Sequence, residues 1–332
     1  MAHVCVSPDR GPSLETGASA LAGEPGPGEL RIRIASALIS GLERAVAGGF
    51  GSHAGGLGHA GVGVVEAVGD AADAEWVGRR VLPAPVGWCG ECTWCRGGLR
   101  EHCETRTILG VRGDRGTIGA TLTVPVRAVH PVPDDVTDEA AVFAPLLASA
   151  LQVRRQVSIP GKPYVTVLGD GPLGLLAAQV LMPMNASVRV LGRYSEKLAR
   201  CERWGIRHRH VDDVGRRGDQ DIVVDCTGRS EGIELAAQLV RPRGTVILKS
   251  LVGPGGRLVP GADLDPLVMS EVSVVGSWFG PIGDALRLLA VGGVQTSELL
   301  DRRVRLDDAT GQLAGPRSGG RLATLVDCST AR

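Results

Sequence analysis

The chain has 332 residues, is 43% apolar and carries a formal net charge of +0. That length supports two domains with cores of their own. The neutral balance gives no electrostatic footprint for nucleic acid or an acidic membrane surface, no apolar run reaches bilayer length, and residues 8–28 show no apolar signal segment. A cytoplasmic protein is therefore expected, with small molecules rather than nucleic acid or membrane as its partners.

Residues 28–39, GELRIRIASALI, alternate apolar and polar and predict a strand. Residues 61–69 and 79–84 predict two more, set between Gly-rich turns. In GLGHAGVGVV, residues 56–65, His59 stands in a turn that runs into an apolar strand, and no acid adjoins it. Residues 86–116 are crowded with Cys, Gly and charge and lack periodicity, so something must order them. Short strands return over 117–133.

The pattern changes near residue 138. DEAAVFAPLLASALQV has helical spacing, with Asp138 and Glu139 suited to a first turn. Then YVTVLG, SVRVLG, DIVVDCTG, GTVILKS and VSVVGSW predict strands. PLGLLAAQVLM, SEKLARCERWG and SEGIELAAQLV predict the helices between them. Such alternation means βαβ units on a parallel sheet. His208 and His210, in RHRH, read as surface residues before a strand. Residues 296–332 read strand–helix–strand.

CGECTWCRGGLREHC places Cys89, Cys92, Cys95 and Cys103 at spacings x2, x2 and x7. Four thiolates in one irregular segment suit a closed tetrahedral zinc site that would order the lobe, 86–106. Disulfides or an iron–sulfur cluster are the other readings. Cys5, Cys201, Cys226 and Cys328 are expected to be ordinary thiols.

VTVLGDGPLG carries Gly169, Gly171 and Gly174 as G-x-G-x-x-G between an apolar strand and an apolar helix, the context of a dinucleotide-binding turn. Gly169 permits the tight turn, Gly171 lets the backbone approach a pyrophosphate, and Gly174 lets helix and strand pack. Pro172 and Leu173 complete the turn, and Thr227 of DIVVDCTG joins the cofactor residues. An NAD site places Asp or Glu about 20 residues on. Here the next strand ends in Gly192 and Arg193, with Lys197 in reach, so a 2′-phosphate finds cations instead. NADP(H) is the expected cofactor, with NAD(H) the alternative.

GLGHAGVGVVEAVG, VGRRV, the cysteine segment, VPDDVTDEAAVFAPLLAS, VTVLGDGPLGLLAAQV and DIVVDCTG, in this order, resemble the medium-chain dehydrogenase/reductase superfamily of the zinc alcohol dehydrogenase kind. The resemblance covers nearly the whole chain. It implies an α/β fold: a GroES-like, β-rich catalytic domain over 1–145 and a Rossmann doubly wound parallel sheet over 146–290. Residues 291–332 return to the catalytic domain, and the active site lies between the two. It also implies a homodimer, with 272–280 as the exposed sheet edge.

The family's catalytic zinc uses a Cys in G-I-C-G/x-[ST]-D, the His of G-H-E and a Cys or Glu before the middle helix. The matching segment ALISGLERAV puts Ser40 at the Cys position and Glu43 at the Asp position. GHA keeps His59 but replaces Glu with Ala60, and VFAPLLAS puts Ala144 where relatives read Glu-Pro-Leu. One structural zinc per chain and no catalytic zinc are expected. Losing that Lewis acid matters least for an activated acceptor. The leading expectation is an NADPH-dependent reductase of an activated C=C, C=N or C=O bond, of the kind used in specialised metabolite biosynthesis. His59, Ser40 and Glu43 are its catalytic candidates, and His53 is a further proton-donor candidate on a loop bordering the cleft. His59 either donates the proton or merely closes its turn. Two alternatives stand: a conventional zinc alcohol or polyol dehydrogenase with unrecognised ligands, and a catalytically silent member that binds NADPH or a small molecule.

Overall fold

The computed structural model describes residues 2–16, 23–157, 161–215, 217–250, 265–313 and 321–329. It divides into one unit of residues 1–145, 282–317 and 323–332 and a second of 146–281 and 318–322.

The first unit opens with a hairpin that the sequence patterns did not predict. β1 (Ala2–Ser7) pairs with β2 (Gly11–Thr16), and β1 is buried almost throughout. Its apolar run is short, and its partner is polar, so no period of two shows. In β3 (Glu29–Ile39) the alternation is real: Leu30, Ile32 and Ile34 are buried, and Arg31 and Arg33 face away. α1 (Gly41–Ala47) follows directly. β4 (Gly55–Gly56) pairs with β1, while β5 (Gly61–Val68) lies antiparallel to β3 and to β6 (Arg80–Pro83). The cysteine lobe holds only the small ladder of β7 (Val86–Gly87) with β8 (Thr107–Ile108) and the one-turn α2 (Thr93–Arg96). β9 (Thr121–Pro125) adds to β3, and β10 (Val129–Pro131) adds to β6.

The single helix expected over 138–153 is two. α3 (Asp138–Ala141) is capped by the Thr137 side chain and ends at Val142; α4 (Ala144–Gln156) then begins, with Pro145 in its first turn. Proline lacks an N–H and clashes in a helix interior, so a new helix must start beside it.

The second unit is the parallel sheet. β11 (Tyr164–Leu168), α5 (Pro172–Leu181), β12 (Ser187–Gly192), α6 (Ser195–Arg203) and β13 (Arg207–His210) form one half. β14 (Gln220–Asp225), α7 (Ser230–Leu239), β15 (Val240–Leu248), α8 (Asp265–Met269) and β16 (Ser273–Gly276) form the other. The order is β13-β12-β11-β14-β15-β16, and each neighbouring pair is parallel. This is the doubly wound order whose reversal between β11 and β14 marks the ligand crevice. Val165, Val167, Val190, Val223 and Ile247 fill its core. One reading is corrected here. His208 and His210 do not precede a strand; they lie within edge strand β13.

The chain re-enters the first unit earlier than residue 291. α9 (Ile282–Ala290) packs against α3 and already belongs there. β17 (Leu300–Arg305) and β18 (Ala323–Asp327) then extend the sheet to the order β10-β6-β5-β3-β18-β17. Short 3₁₀ turns at Leu306–Asp308 and Thr310–Gln312 follow β17, and the rest of the segment where a helix is expected, 314–320, lies outside the described residues. Among the described residues, no helix is long and apolar enough to cross a membrane.

Candidate active site, cofactor turn and metal lobe

The four lobe cysteines converge. Their sulfurs all lie within 4.8 Å of one another. Cys89 and Cys95 Sγ are 3.9 Å apart, Cys92 and Cys103 3.9 Å, and Cys89 and Cys103 3.5 Å. A zinc–thiolate tetrahedron with bonds of ~2.3 Å has edges of ~3.8 Å, so the set fits zinc. It does not fit disulfides, whose sulfurs sit ~2.05 Å apart. The Cys89 amide points at Cys103 Sγ at 3.3 Å, and the Cys92 amide at Cys89 Sγ at 3.4 Å. The Cys89 amide is the main cause that pulls the Cys103 thiol down to about 6. The lobe has little core of its own: Trp94 and Leu99 are exposed. Chelation, or Cys103→Ser, is expected to release about one zinc per chain and lower the melting temperature by several degrees. Metal analysis alongside a thermal melt checks this.

The glycine turn is built for close approach. Gly169 has φ +109°, and a Cβ there would lie 3.1 Å from the Cys226 carbonyl. A Cβ at Gly174 would collide with the Gly169 carbonyl, whereas one at Gly171 would meet open space. Gly171 is the N-cap of α5 and gives no side-chain cap, Pro172 starts the helix, and Leu173 is half-buried. The first amides of α5 are thus free for phosphate oxygens. Thr227 donates through its N–H and hydroxyl to Asp225 Oδ1, at 2.9 and 2.7 Å.

The end of β12 holds a carboxylate that sequence order concealed. Asp170, from the glycine turn, packs against Gly192 and accepts the backbone N–H groups of Arg193 and Tyr194 at 2.7 and 2.9 Å. Lys197 is buried; its Nζ is 3.8 Å from Asp170 Oδ1 and 4.4 Å from the Tyr194 ring. Its charge faces Asp170 rather than solvent. Arg193 is exposed, and its guanidinium has no ion pair among the described residues.

The third constellation answers the question of His59. The turn before β5 requires Gly58 at φ +102°, where a Cβ would press on Ile118 and Thr117. This sets His59 against the first turn of α1. There Ser40 is the N-cap of a capping box with Glu43. Glu43 Oε2 accepts the Ser40 N–H and hydroxyl, both at 2.8 Å. Glu43 Oε1 accepts the His59 N–H at 3.2 Å and pairs with His59 Nδ1. The acid absent beside His59 in sequence thus comes from 16 residues upstream. Burial pushes the Glu43 carboxyl up, but the His59 charge and hydrogen bond, with those of Ser40, outweigh it and hold it at about 2.

This corrects the roles of three candidates. Glu43 is a fully buried acceptor that takes four hydrogen bonds from the backbones and side chains of Ser40 and His59, which assigns it a positioning role. Ser40 spends its hydroxyl on Glu43 and on the Leu42 amide, 3.3 Å away. His53 is buried and hydrogen-bonds the Gly56 carbonyl at 3.0 Å, closing its turn. Ala60 and Ala144 are fully buried and offer no ligand atom. Among the described residues, the four cysteines are the one group of three or more His, Cys, Asp or Glu with closely gathered ligand atoms.

The alcohol dehydrogenase GroES-like domain family model matches residues 26–134, and the zinc-binding dehydrogenase model matches residues 172–291. The chain is also 32% identical to the starvation-sensing protein RspB of Escherichia coli (strain K12) over 237 residues, 68% of this chain and 70% of that one. The chain belongs to the medium-chain dehydrogenase/reductase superfamily. This dehydrogenase is 26% identical to 2-dehydro-3-deoxy-L-galactonate 5-dehydrogenase of Pseudoalteromonas atlantica, covering 82% of each chain. It is 28% identical to L-threonine 3-dehydrogenase of Mesorhizobium japonicum, covering 81% of each. Its fold is shared with a dehydrogenase structure of Sinorhizobium meliloti 1021 bound to NADP, at TM-score 0.85, 24% identity and 98% coverage of each chain. The protein is accordingly an NAD(P)-dependent oxidoreductase of this superfamily.

The Glu43 pair makes the first unit acid-labile. Its folded value lies below the ~4.3 of an unfolded Glu, so its contribution is complete above pH ~4.3. That contribution is lost as pH falls through about 2. Denaturant melts from pH 6 to 2 are expected to show a steeper loss for wild type than for Glu43→Gln.

Proposed function

We propose that this dehydrogenase is an NADP(H)-dependent reductase of an activated C=C, C=N or C=O bond that works without a catalytic zinc. The observation that carries the reading is the Glu43–His59 pair, at positions where the ligand-type side chains have become Ser40, Ala60 and Ala144. A bound nicotinamide supplies the hydride. His59, held through Nδ1, keeps Nε2 for the substrate. As imidazolium it gives the Nε2 proton to the atom that gains charge, and it remains as the Nδ1–H tautomer on Glu43. Glu43 is a positioning residue, and Ser40 fixes Glu43. An acceptor that is already polarised needs no Lewis acid to take hydride.

Arg193, exposed and unpaired among the described residues, supports NADP(H), because Asp170 is neutralised by two amides and Lys197. Asp170 is also the observation that favours NAD(H), as a carboxylate at the end of β12. A second reading, a conventional zinc-dependent alcohol or polyol dehydrogenase with unrecognised ligands, is favoured as to reaction class by the dehydrogenases among its relatives. Strand β16, exposed at the sheet edge, offers the surface for a homodimer.

Steady-state kinetics on activated enones, imines and ketones test the proposal. His59→Gln is expected to lower kcat about 100-fold with cofactor affinity unchanged. Glu43→Gln is expected to lower it less, with cofactor affinity again unchanged. Arg193→Gln is expected to reduce the preference for NADPH over NADH about tenfold. Full activity in His59→Gln contradicts the proton-donor role.

A further inference from the structure

Lys249 is a buried amine with no carboxylate partner among the described residues. It follows β15, is 3% exposed, and its backbone N–H donates to the Asp225 carbonyl at 2.8 Å. Its Nζ donates to Ser277 Oγ at 2.9 Å and to the Trp278 carbonyl at 3.4 Å. No Asp or Glu pairs with it among the described residues. Lysine is almost never buried this deeply unless paired, and an uncompensated buried charge costs stability.

The position gives the charge a use. In this strand order the dinucleotide crosses the carboxyl ends of the strands, with its phosphates at the turn after β11. Arg193 ends β12, on the adenosine side. Across the reversal, Cys226 follows β14 directly against Gly169, Lys249 follows β15, and Ser277 follows β16. Lys249 and its two acceptors therefore lie on the nicotinamide side. An oxidised nicotinamide ring carries a positive charge, and accepting hydride removes it.

Resting on the nicotinamide reading above, we propose that Lys249 is a redox-state selector: its ammonium weakens binding of the oxidised cofactor relative to the reduced one. The bias favours retention of the reduced cofactor and release of the oxidised product, which suits a reductase. Burial pushes the Lys249 amine down to about 8, and the Cys226 thiol acts weakly in the opposite direction. Burial raises the Cys226 thiol to about 12 and also raises the Asp225 carboxyl, and the β16 side offers only the uncharged Ser277 and Trp278. The discrimination is therefore strong below pH 8 and fades above it.

The test is equilibrium binding of NADPH, NADP+, NADH and NAD+ to the full chain, wild type, Lys249→Met and Lys249→Arg, at pH 6.5 and pH 9.5. The quantity read is the ratio of oxidised to reduced Kd. At pH 6.5 it is expected to be about tenfold larger in wild type than in Lys249→Met. It should fall toward the Met value at pH 9.5 in wild type and stay high at both pH values in Lys249→Arg. A thermal melt of Lys249→Met is expected to match or exceed wild type, since an uncompensated charge is removed. Equal ratios in wild type and Lys249→Met, or a wild-type ratio unchanged between the two pH values, overturn the selector. Failure of all four dinucleotides to bind wild type overturns the cofactor reading itself.

Discussion

The Glu43 carboxylate is the interaction on which the proposed chemistry depends. It is buried in the first unit and takes hydrogen bonds from Ser40 on one side and His59 on the other. A buried carboxylate is costly unless every lone pair is used. Here the capping box of α1 and the turn before β5 use them together. One side chain thus ties a helix N-terminus to a turn and fixes the orientation of the imidazole. Ser40, Ala60 and Ala144 stand at the positions the resemblance gives to metal ligands, and the histidine is oriented by Glu43. In the proposed reading that geometry makes His59 a proton carrier.

The parallel sheet handles charge in a complementary way. Its reversal between β11 and β14 creates the crevice, and the glycine turn clears it of side chains. Basic groups then stand on either side of that turn. Arg193 faces solvent beside a compensated Asp170, whereas Lys249 is enclosed behind Ser277 and Trp278. The exposed cation suits a phosphate, which is itself strongly hydrated. The enclosed one acts through a low-dielectric interior, where a change of one charge on a neighbour is felt most.

Much of this was legible in the sequence because the signals are local. The cysteine spacing, the glycine turn and the strand–helix alternation each sit within a few residues of one another. The β-alternation of Leu30, Ile32 and Ile34 against Arg31 and Arg33 is likewise local. What escaped is what depends on distant partners. Polar β2 hides the hairpin it forms with β1, and RHRH has no apolar face to mark β13. Asp170 reaches the end of β12 from another strand, so a search along β12 for a carboxylate could not find it. Glu43 looks like a solvated helix residue until its contact with His59 is known. Lys249 left one signal, a lysine closing the otherwise apolar GTVILKS, and its meaning depends on the neighbouring strands.

The central claim is that the metal survives in the lobe and is absent beside His59. Zinc K-edge X-ray absorption on the protein as purified tests it most directly, because sulfur and nitrogen ligands scatter at different distances. The account predicts one shell of four sulfurs at ~2.3 Å and no imidazole contribution. A mixed spectrum, with nitrogen or oxygen at ~2.0–2.1 Å in addition to sulfur, would contradict it and restore His59 as a zinc ligand.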